Sequence, residues 1–480
     1  MEVIRSGENG INGRKERGMK KAVHKAVIRF AIFVNIMLVT LPFAFCWFWS
    51  YADGIVMPYY RRGNFLLIAL FVLLYIVFGR TYDAFLISYY PFLEMLCSQA
   101  IALLMSDLIM YIVISLLSLG FVNVCYLLIT FGVQLSVTAF WCLMTRKLYF
   151  TMVNPKLTAV IYDEQPDVGE LIKKYRLGRK FNVVRVATVK DCMDGQMTIL
   201  EGMEVVFVCG VHSHDRNIIL KYCIGNNIRL FVIPRVGDVL MSSAKRVHIL
   251  HLPMLMVERY SPSVGYLFFK RMFDIVFSVT VLFLASPLMI LTAVAIKLYD
   301  GGQVFYRQCR LTKDGKCFFI LKFRSMRVDA EENGVQLCSG GEDDRVTPVG
   351  RVIRRLHIDE LPQMLNIVSG SMSVVGPRPE RPELEEQYLK ELPEFRLRLQ
   401  AKAGLTGYAQ VYGKYNTTPY DKLQMDLMYI SNPGILEDLR IVLATIKVLF
   451  LPESGEILTK RQAVISELAA GEEKEKEKEK

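Results

Sequence analysis

No Cys-x-x-Cys pair, no Gly-x-Gly-x-x-Gly loop and no RNA- or DNA-binding module pattern occurs in this 480-residue chain. Its ten cysteines are scattered. Four of them (Cys46, Cys97, Cys125, Cys142) lie in apolar segments, where cysteine packs as a small hydrophobe. That argues against a disulfide framework and suits a reducing cytoplasm. Histidine is scarce, and His212-x-His214 offers half a metal site with no third ligand evident. Negative charge is in the minority: 47 acidic against 58 basic residues give a formal charge of +11. That balance suits an anionic membrane face or a phosphorylated substrate, and with no nucleic-acid module these readings come before nucleic acid.

What the chain has in quantity is apolar sequence: 52% of residues, with a positive mean hydropathy of +0.29. Residues 1–29 are polar and basic and lack the short apolar core and cleavage site of a signal peptide. Four apolar runs follow, at Ala31–Ser50, about Asn64–Gly79, about Met95–Gly120 and about Phe121–Met144, the last closed by Arg146 and Lys147. These define a four-helix transmembrane domain over residues 30–147. Asp107, in the third run, is expected to face neighbouring helices. The positive-inside rule sets the N-terminus in the cytoplasm, and four crossings return the chain there.

Residues 148–258 change character. Leu157–Tyr162, Phe181–Val186, Glu204–Cys209 and Arg229–Ile233 read as strands, with Val168–Tyr175 and Asp215–Ile224 as helices between them. The alternation predicts a Rossmann-like parallel α/β domain. Its first strand runs into Asp163 and Glu164 rather than glycines, so it is read as a structural, regulatory or assembly domain and not a dinucleotide site.

Residues 266–300 hold a fifth apolar run, uncharged from Ile275 to Ile296, with Ser286-Pro287 at its midpoint. Both flanks are basic: Lys270 and Arg271 before it, Lys297, Arg307, Arg310, Lys313 and Lys316 after it. A helix broken at Ser286-Pro287 that enters and leaves by one face keeps both clusters inside. A kinked fifth span is the alternative.

The chemistry concentrates in residues 301–456. Asp359-Glu360 stands behind Arg354-Arg355 and before Pro362, and Gly376-Pro377-Arg378-Pro379 follows. Carboxylates attack phosphorus or hold a hard cation, and guanidinium forks hold phosphate. This inventory suits phosphoryl transfer. Successive helical residues point about 100° apart, so convergence of the two acids predicts a helix start, with Pro362 in its first turn and Asp359 near its N-cap. Arg378 between two prolines is a stiff phosphate fork. Arg354 and Arg355 either orient the acids or form a solvated face. Lys316, Lys322 and Arg324 are candidates for phosphate or a lipid headgroup. The tail, residues 457–480, alternates acid and base and reads as solvated helix or disorder.

The motif series from Lys270 to about Leu451 resembles the bacterial sugar transferase family, the monotopic phosphoglycosyl transferases. It comprises Lys270-Arg271-x-Phe273-Asp274, Ser286-Pro287, Gln308-x-Arg310, Gly315-Lys316, Lys322-Phe323-Arg324-Ser325-Met326 and Asp344-Arg345-Val346-Thr347-x-x-Gly350. It continues through Asp359-Glu360-Leu361-Pro362-Gln363, Met372-Ser373-x-Val375-Gly376-Pro377-Arg378-Pro379-Glu380, Gly404-Leu405-Thr406-Gly407-x-Ala409-Gln410 and Asp426-Leu427-x-Tyr429-Ile430. Ala403, Tyr408 and Ser371 depart from the residues common in the family and bear on specificity rather than on the acid pair.

The resemblance implies a membrane protein of α plus α/β class: four N-terminal transmembrane helices, a Rossmann-like domain, a re-entrant helix and a compact, mostly helical catalytic domain. It further implies transfer of a sugar-1-phosphate from a UDP-sugar to undecaprenyl phosphate with release of UMP, through a covalent intermediate on Asp359. Mg²⁺ would sit on Glu360 and Asp359, with Asp426, Asp438, Gln410 and Tyr429 as further site positions. Anionic membrane lipids and a second copy in a homodimer are the expected partners. The expected location is the bacterial inner membrane, with the catalytic domain on the cytoplasmic face and a role in starting exopolysaccharide, capsule or O-antigen assembly. Two rival readings are an inactive membrane scaffold working through the α/β domain, and a tethered nucleotide-sugar oxidoreductase or dehydratase.

Overall fold

The computed structural model describes residues 26–56, 62–87, 92–163, 178, 180–195, 197–249, 251–260, 262–327, 345–413 and 418–450. The basic N-terminal stretch through residue 25, the predicted helix Val168–Tyr175, Asp344 and the charged tail lie outside them. The chain divides into two compact units, Met1–Ile233 and Pro234–Lys480.

The first unit opens with four helices long and apolar enough to cross a membrane: α1 (Ala26–Tyr51), α2 (Arg62–Thr81), α3 (Phe92–Leu117) and α4 (Cys125–Met152). One chain of their interior polar groups is satisfied internally, as burial away from water favours. Tyr75 OH donates to Asn35 Oδ1 at 2.7 Å, Asn35 Nδ2 to Gln99 Oε1 at 3.3 Å, and Gln99 Nε2 to the Ala84 carbonyl at 3.0 Å. Asp107 is buried on α3, as expected.

The α/β portion carries β1 (Lys156–Tyr162), β2 (Phe181–Thr188), α5 (Val189–Asp194), β3 (Val205–Cys209), α6 (Ser213–Gly225) and β4 (Arg229–Val232). The strands form one parallel sheet in the order β2-β1-β3-β4. Side chains alternate across it. Ala159, Ile161, Val206 and Val208 pack on one face, while Val160, Phe181 and Val205 pack on the other.

The second unit begins with α7 (Val236–Ser242) and the hairpin β5 (Lys245–Ile249) and β6 (Leu252–Met256), all within the stretch grouped by sequence with the α/β domain. Val236 and Val239 of α7 belong to the same apolar core as Leu423 and Leu427. Then comes α8 (Val264–Asp300). Its start is capped by Ser263, whose Oγ accepts from Tyr266 N at 3.3 Å, and it ends at Gly301 in the left-handed region, φ 72°.

The expected break at Ser286-Pro287 does not interrupt α8. Proline removes the N–H that would bond the Phe283 carbonyl, and Ser286 Oγ takes that place, donating to Phe283 O at 2.8 Å. The helix therefore passes through the Ser-Pro pair. Both of its ends pack on one folded unit. Near the start, Lys270 Nζ donates to Val375 O at 3.0 Å, and Asp274 Oδ1 accepts from Ser373 Oγ at 3.1 Å and Val374 N at 2.9 Å. Near the end, Ile296 packs with Phe323 and Ile353, and Asp300 pairs with Arg324. Between these anchors Phe283 and Leu284 stand 78% and 72% exposed.

The remaining elements are β7 (Phe305–Leu311), β8 (Cys317–Phe323), α9 (Pro348–Arg355), α10 (Gln363–Ser369), β9 (Ser373–Val375), α11 (Pro382–Glu391), β10 (Gly404–Thr406), α12 (Tyr408–Tyr412), α13 (Pro419–Ser431) and α14 (Ile435–Phe450). β7 and β8 form an antiparallel hairpin. Cys309 and Cys317 lie on its two strands, with Cα atoms 6.0 Å apart.

Candidate active site

The acid pair is delivered by the end of α9. Thr347 caps that helix, its Oγ1 accepting from Gly350 N at 2.9 Å, Pro348 starts it, and Arg354 and Arg355 occupy its last turn, where cations favour the helix dipole. His357 then adopts a left-handed conformation, φ 54°, and the chain enters a 3-10 turn, Ile358–Glu360. Ile358 anchors this turn on the Ile296, Phe323 and Ile353 cluster. Asp359 and Glu360 therefore stand in a 3-10 turn, and the following α10 has Pro362 itself as N-cap. The expectation of Asp359 near that N-cap and of Pro362 inside the first turn is corrected: the tight turn, not a helix dipole, sets the acids.

Lys322 reaches the pair from β8. Its Nζ meets Glu360 Oε1 at 2.7 Å. Asn366 of α10 fixes the strand relative to the acids: its Oδ1 accepts from Leu321 N at 2.9 Å and its Nδ2 donates to Phe319 O at 2.8 Å. Arg378 Nη2 approaches the same Glu360 oxygen at 3.5 Å. Burial would raise the Glu360 carboxyl, but Lys322 and then Arg378 outweigh it and bring it down to about 2. Its neighbour is treated differently. The Asp359 side chain is 9% exposed and has no hydrogen-bond or ion-pair partner among the described residues. Burial pushes it above the usual carboxylate range, against the pull of Lys322 and with a contribution from the Glu360 charge.

Arg378 is held by its backbone. Gly376 N donates to Thr406 O and Gly404 N to Pro377 O, both at 2.9 Å, so β9, β10 and the Gly-Pro-Arg-Pro turn are in close register. A Cβ on Gly404 would overlap the Gly376 backbone, which is the physical need for glycine there. A buried guanidinium and a half-buried one grip the turn. Arg398 Nη2 donates to Arg378 O at 2.6 Å and Arg310 Nη1 to Pro379 O at 3.2 Å. Arg398 is 1% exposed, pairs with Asp426 Oδ2 at 2.8 Å and lies 3.8 Å from Glu380, which Lys422 meets at 2.9 Å.

The structure thus brings Asp359, Glu360, Lys322 and Arg378 together. Arg354 acts on Asp359 at longer range, lowering its carboxyl, while Arg355 is exposed. Lys316 is exposed at the hairpin tip, and Arg324 pairs with Asp300 rather than with the acids. Asp426 is committed to Arg398. Asp438 accepts from Lys270 and Tyr266, each at 2.9 Å, and from Tyr429 at 2.8 Å, which ties α14 to α8. Gln410 Nε2 donates to Leu405 O at 2.8 Å. None of these last four contacts the acid pair in the interactions described. Sequence reading missed Arg398 and Asn366, which look like ordinary polar residues until the turn they hold is seen.

Among the described residues no cluster of three or more His, Cys, Asp or Glu could hold a metal. Two adjacent carboxylates are the available donors. Mg²⁺ commonly takes one or two carboxylates and completes its shell with water and substrate phosphate, so the unpartnered Asp359 beside Glu360 fits it.

The model of the bacterial sugar transferase family matches residues 265–452. The UDP-N-acetylgalactosamine-undecaprenyl-phosphate N-acetylgalactosaminephosphotransferase of Aeromonas hydrophila is 40% identical over 231 residues, covering 48% of this chain and 54% of that protein. The UDP-glucose:undecaprenyl-phosphate glucose-1-phosphate transferase of Caulobacter vibrioides is 40% identical over 191 residues, 39% of this chain and 71% of that protein. The exopolysaccharide production protein ExoY of Sinorhizobium fredii is 37% identical over 191 residues, 37% of this chain and 83% of that protein. The chain belongs to the bacterial sugar transferase family. It spans about half the length of the Aeromonas relative.

Proposed function

We propose that this protein transfers a sugar-1-phosphate from a UDP-sugar to undecaprenyl phosphate, starting a membrane-linked glycan such as an exopolysaccharide. One observation carries the mechanism: Glu360 is clasped by Lys322 and Arg378, while the adjoining Asp359 has no partner among the described residues. A carboxylate tied up by two cations is a poor nucleophile, and an unpartnered, partly desolvated one is a better one.

In this reading an Asp359 oxygen attacks the phosphorus bearing the sugar. The bond to the bridging pyrophosphate oxygen breaks, and UMP leaves with that oxygen. A phosphate oxygen of undecaprenyl phosphate then attacks the same phosphorus, breaking the Asp359–phosphorus bond and restoring the carboxylate. Arg378, stiffened by its prolines and by Arg398, orients phosphate oxygens. Lys322 holds Glu360 ionised. Mg²⁺, held by Asp359 and Glu360, would neutralise phosphate charge when bound. Anchorage of both ends of α8 on one unit supports a re-entrant helix, with exposed Phe283 and Leu284 dipping into lipid. Such a helix keeps the acid pair at the cytoplasmic membrane face, where the soluble donor and the lipid acceptor can both reach it. The relatives act on different sugars by name, N-acetylgalactosamine and glucose, so a panel of UDP-sugars is the right probe.

The test uses full-length protein in detergent with that panel and undecaprenyl phosphate, scored by UMP release. Asp359→Asn should lose roughly a thousandfold or more, as covalent nucleophiles do. Without acceptor, sugar label should stay on the wild-type protein and not on the variant. Wild-type turnover by Asp359→Asn would sink the nucleophile assignment.

A further inference from the structure

The C-terminal end of α4 carries a feature that the transfer reaction does not use. The helix is uncharged from Cys125 to Thr145, a rise of roughly 30 Å at about 1.5 Å per residue, which matches the hydrocarbon thickness of a bilayer. Arg146 and Lys147 come next, so a crossing helix sets them at the depth of the lipid phosphates. At that point the helix end and the chain leading to β1 line a cleft of about 500 Å³.

Its walls are of two kinds. Leu143, Phe150, Val153 and Pro155 are apolar, and Arg146 and Lys147 are cationic. Neither cation has an acidic partner among the described residues. The Arg146 guanidinium lies over the Phe150 ring, 5.9 Å from its centroid. The basic residues near the ends of α8 are engaged by acidic or carbonyl partners. Lys270 pairs with Asp438, Arg271 donates to the carbonyls of Ile367 and Val368, and Lys297 donates to that of Gly301. Leu148 and Met152 on the same stretch of α4 are 54% and 68% exposed, which suits contact with acyl chains.

We propose that this cleft binds the headgroup of an anionic glycerophospholipid, its phosphate on Arg146 and Lys147 and its upper acyl carbons against Leu143 and Phe150. Charge complementarity excludes a headgroup without net negative charge as the preferred occupant. The apolar walls favour a lipid over a soluble phosphate ester.

Native mass spectrometry of the full-length protein in detergent tests this, with phosphatidylglycerol, phosphatidylcholine and glycerol 3-phosphate as probes. Phosphatidylglycerol should be retained roughly tenfold or more over phosphatidylcholine, as expected for two interfacial cations. Arg146→Gln with Lys147→Gln should remove that preference. Arg62→Gln with Arg80→Gln, an equal loss of charge elsewhere, should leave it intact, and the exchange Arg146→Lys with Lys147→Arg should retain it in a folded protein. Equal loss in both Gln pairs would reduce the effect to general surface charge and overturn the site. Displacement of lipid by equimolar glycerol 3-phosphate would overturn the lipid in favour of a soluble phosphate.

Discussion

The α/β sheet and the second unit treat buried charge in opposite ways. In the α/β sheet both faces are apolar, and Lys180 is the one charged side chain among its described residues that is buried. The second unit buries Asp274, Asp359, Glu380, Glu385, Arg398, Asp426 and Asp438. Burying a charge costs free energy unless it is paired and hydrogen-bonded, and an apolar replacement often does as well for stability alone. The difference shows what the second unit gains from its charges. Two of them fix backbone, Arg398 holding the carbonyl of Arg378 and Asp274 the Val374 amide, and the half-buried Lys270 holds the Val375 carbonyl. Each of these contacts falls on the stretch from Ser373 to Arg378, which sets the turn that carries Arg378.

The sharpest way to break that contrast is Arg398→Met. It leaves Asp426 buried and unpaired, which should cost about 3–5 kcal/mol, measured by denaturant unfolding in detergent. The double variant Arg398→Met, Asp426→Leu should recover most of that stability, since the orphaned charge is gone. It should not recover transfer activity, because the Arg378 carbonyl has lost its donor and the guanidinium its fixed direction. Recovery of both together would show that the buried pair serves stability only.

Much of this was legible in the sequence. The apolar runs, the four strands and the helix at Ser213–Gly225 follow from hydrophobic period and length, which are local properties. The acid pair and Arg378 stood out because motif order surrounds them. The contrasting surroundings of Asp359 and Glu360 were not legible, because they depend on Lys322, which comes from a hairpin 38 residues away in sequence. Nor was the passage of α8 through Ser286-Pro287, since proline alone predicts a break and the rescue by the Ser286 hydroxyl is a matter of rotamer. Asp426 and Asp438 look like site residues in a linear motif, and only tertiary pairing with Arg398 and Lys270 shows their commitment to the scaffold.

A smaller effect is expected at Lys322. Lys322→Met removes the partner 2.7 Å from Glu360 and a positive charge that lowers Asp359. The Asp359 carboxyl, already raised by burial, then rises further. In the proposed mechanism attack needs the ionised form, so the acid limb of the pH–rate profile should move to higher pH, by roughly one unit or more for the loss of a close opposite charge. An unmoved limb with a merely lower rate would place Lys322 on substrate rather than on the acids.

The smallest effect tests the exception in the apolar sheet. Lys180 is 7% exposed. Burial, followed by the charges of Lys156 and Arg229, lowers its ammonium to about 7 from an ordinary 10.5. Between those values the unfolded chain holds the proton and the folded chain does not, so stability of this unit rises with pH across that window and is lowest below it. Lys180→Met keeps an unbranched apolar stem beside Phe181 and removes the titration. Hydrogen exchange of β1 and β2 amides in the full-length protein should then lose its pH-dependent stability component, with protection in the variant exceeding wild type most at pH 6, by about 1–2 kcal/mol. Equal protection at pH 6 would mean that burial of the ammonium carries no net cost in the folded sheet, and that even this one buried charge follows the pattern of the second unit.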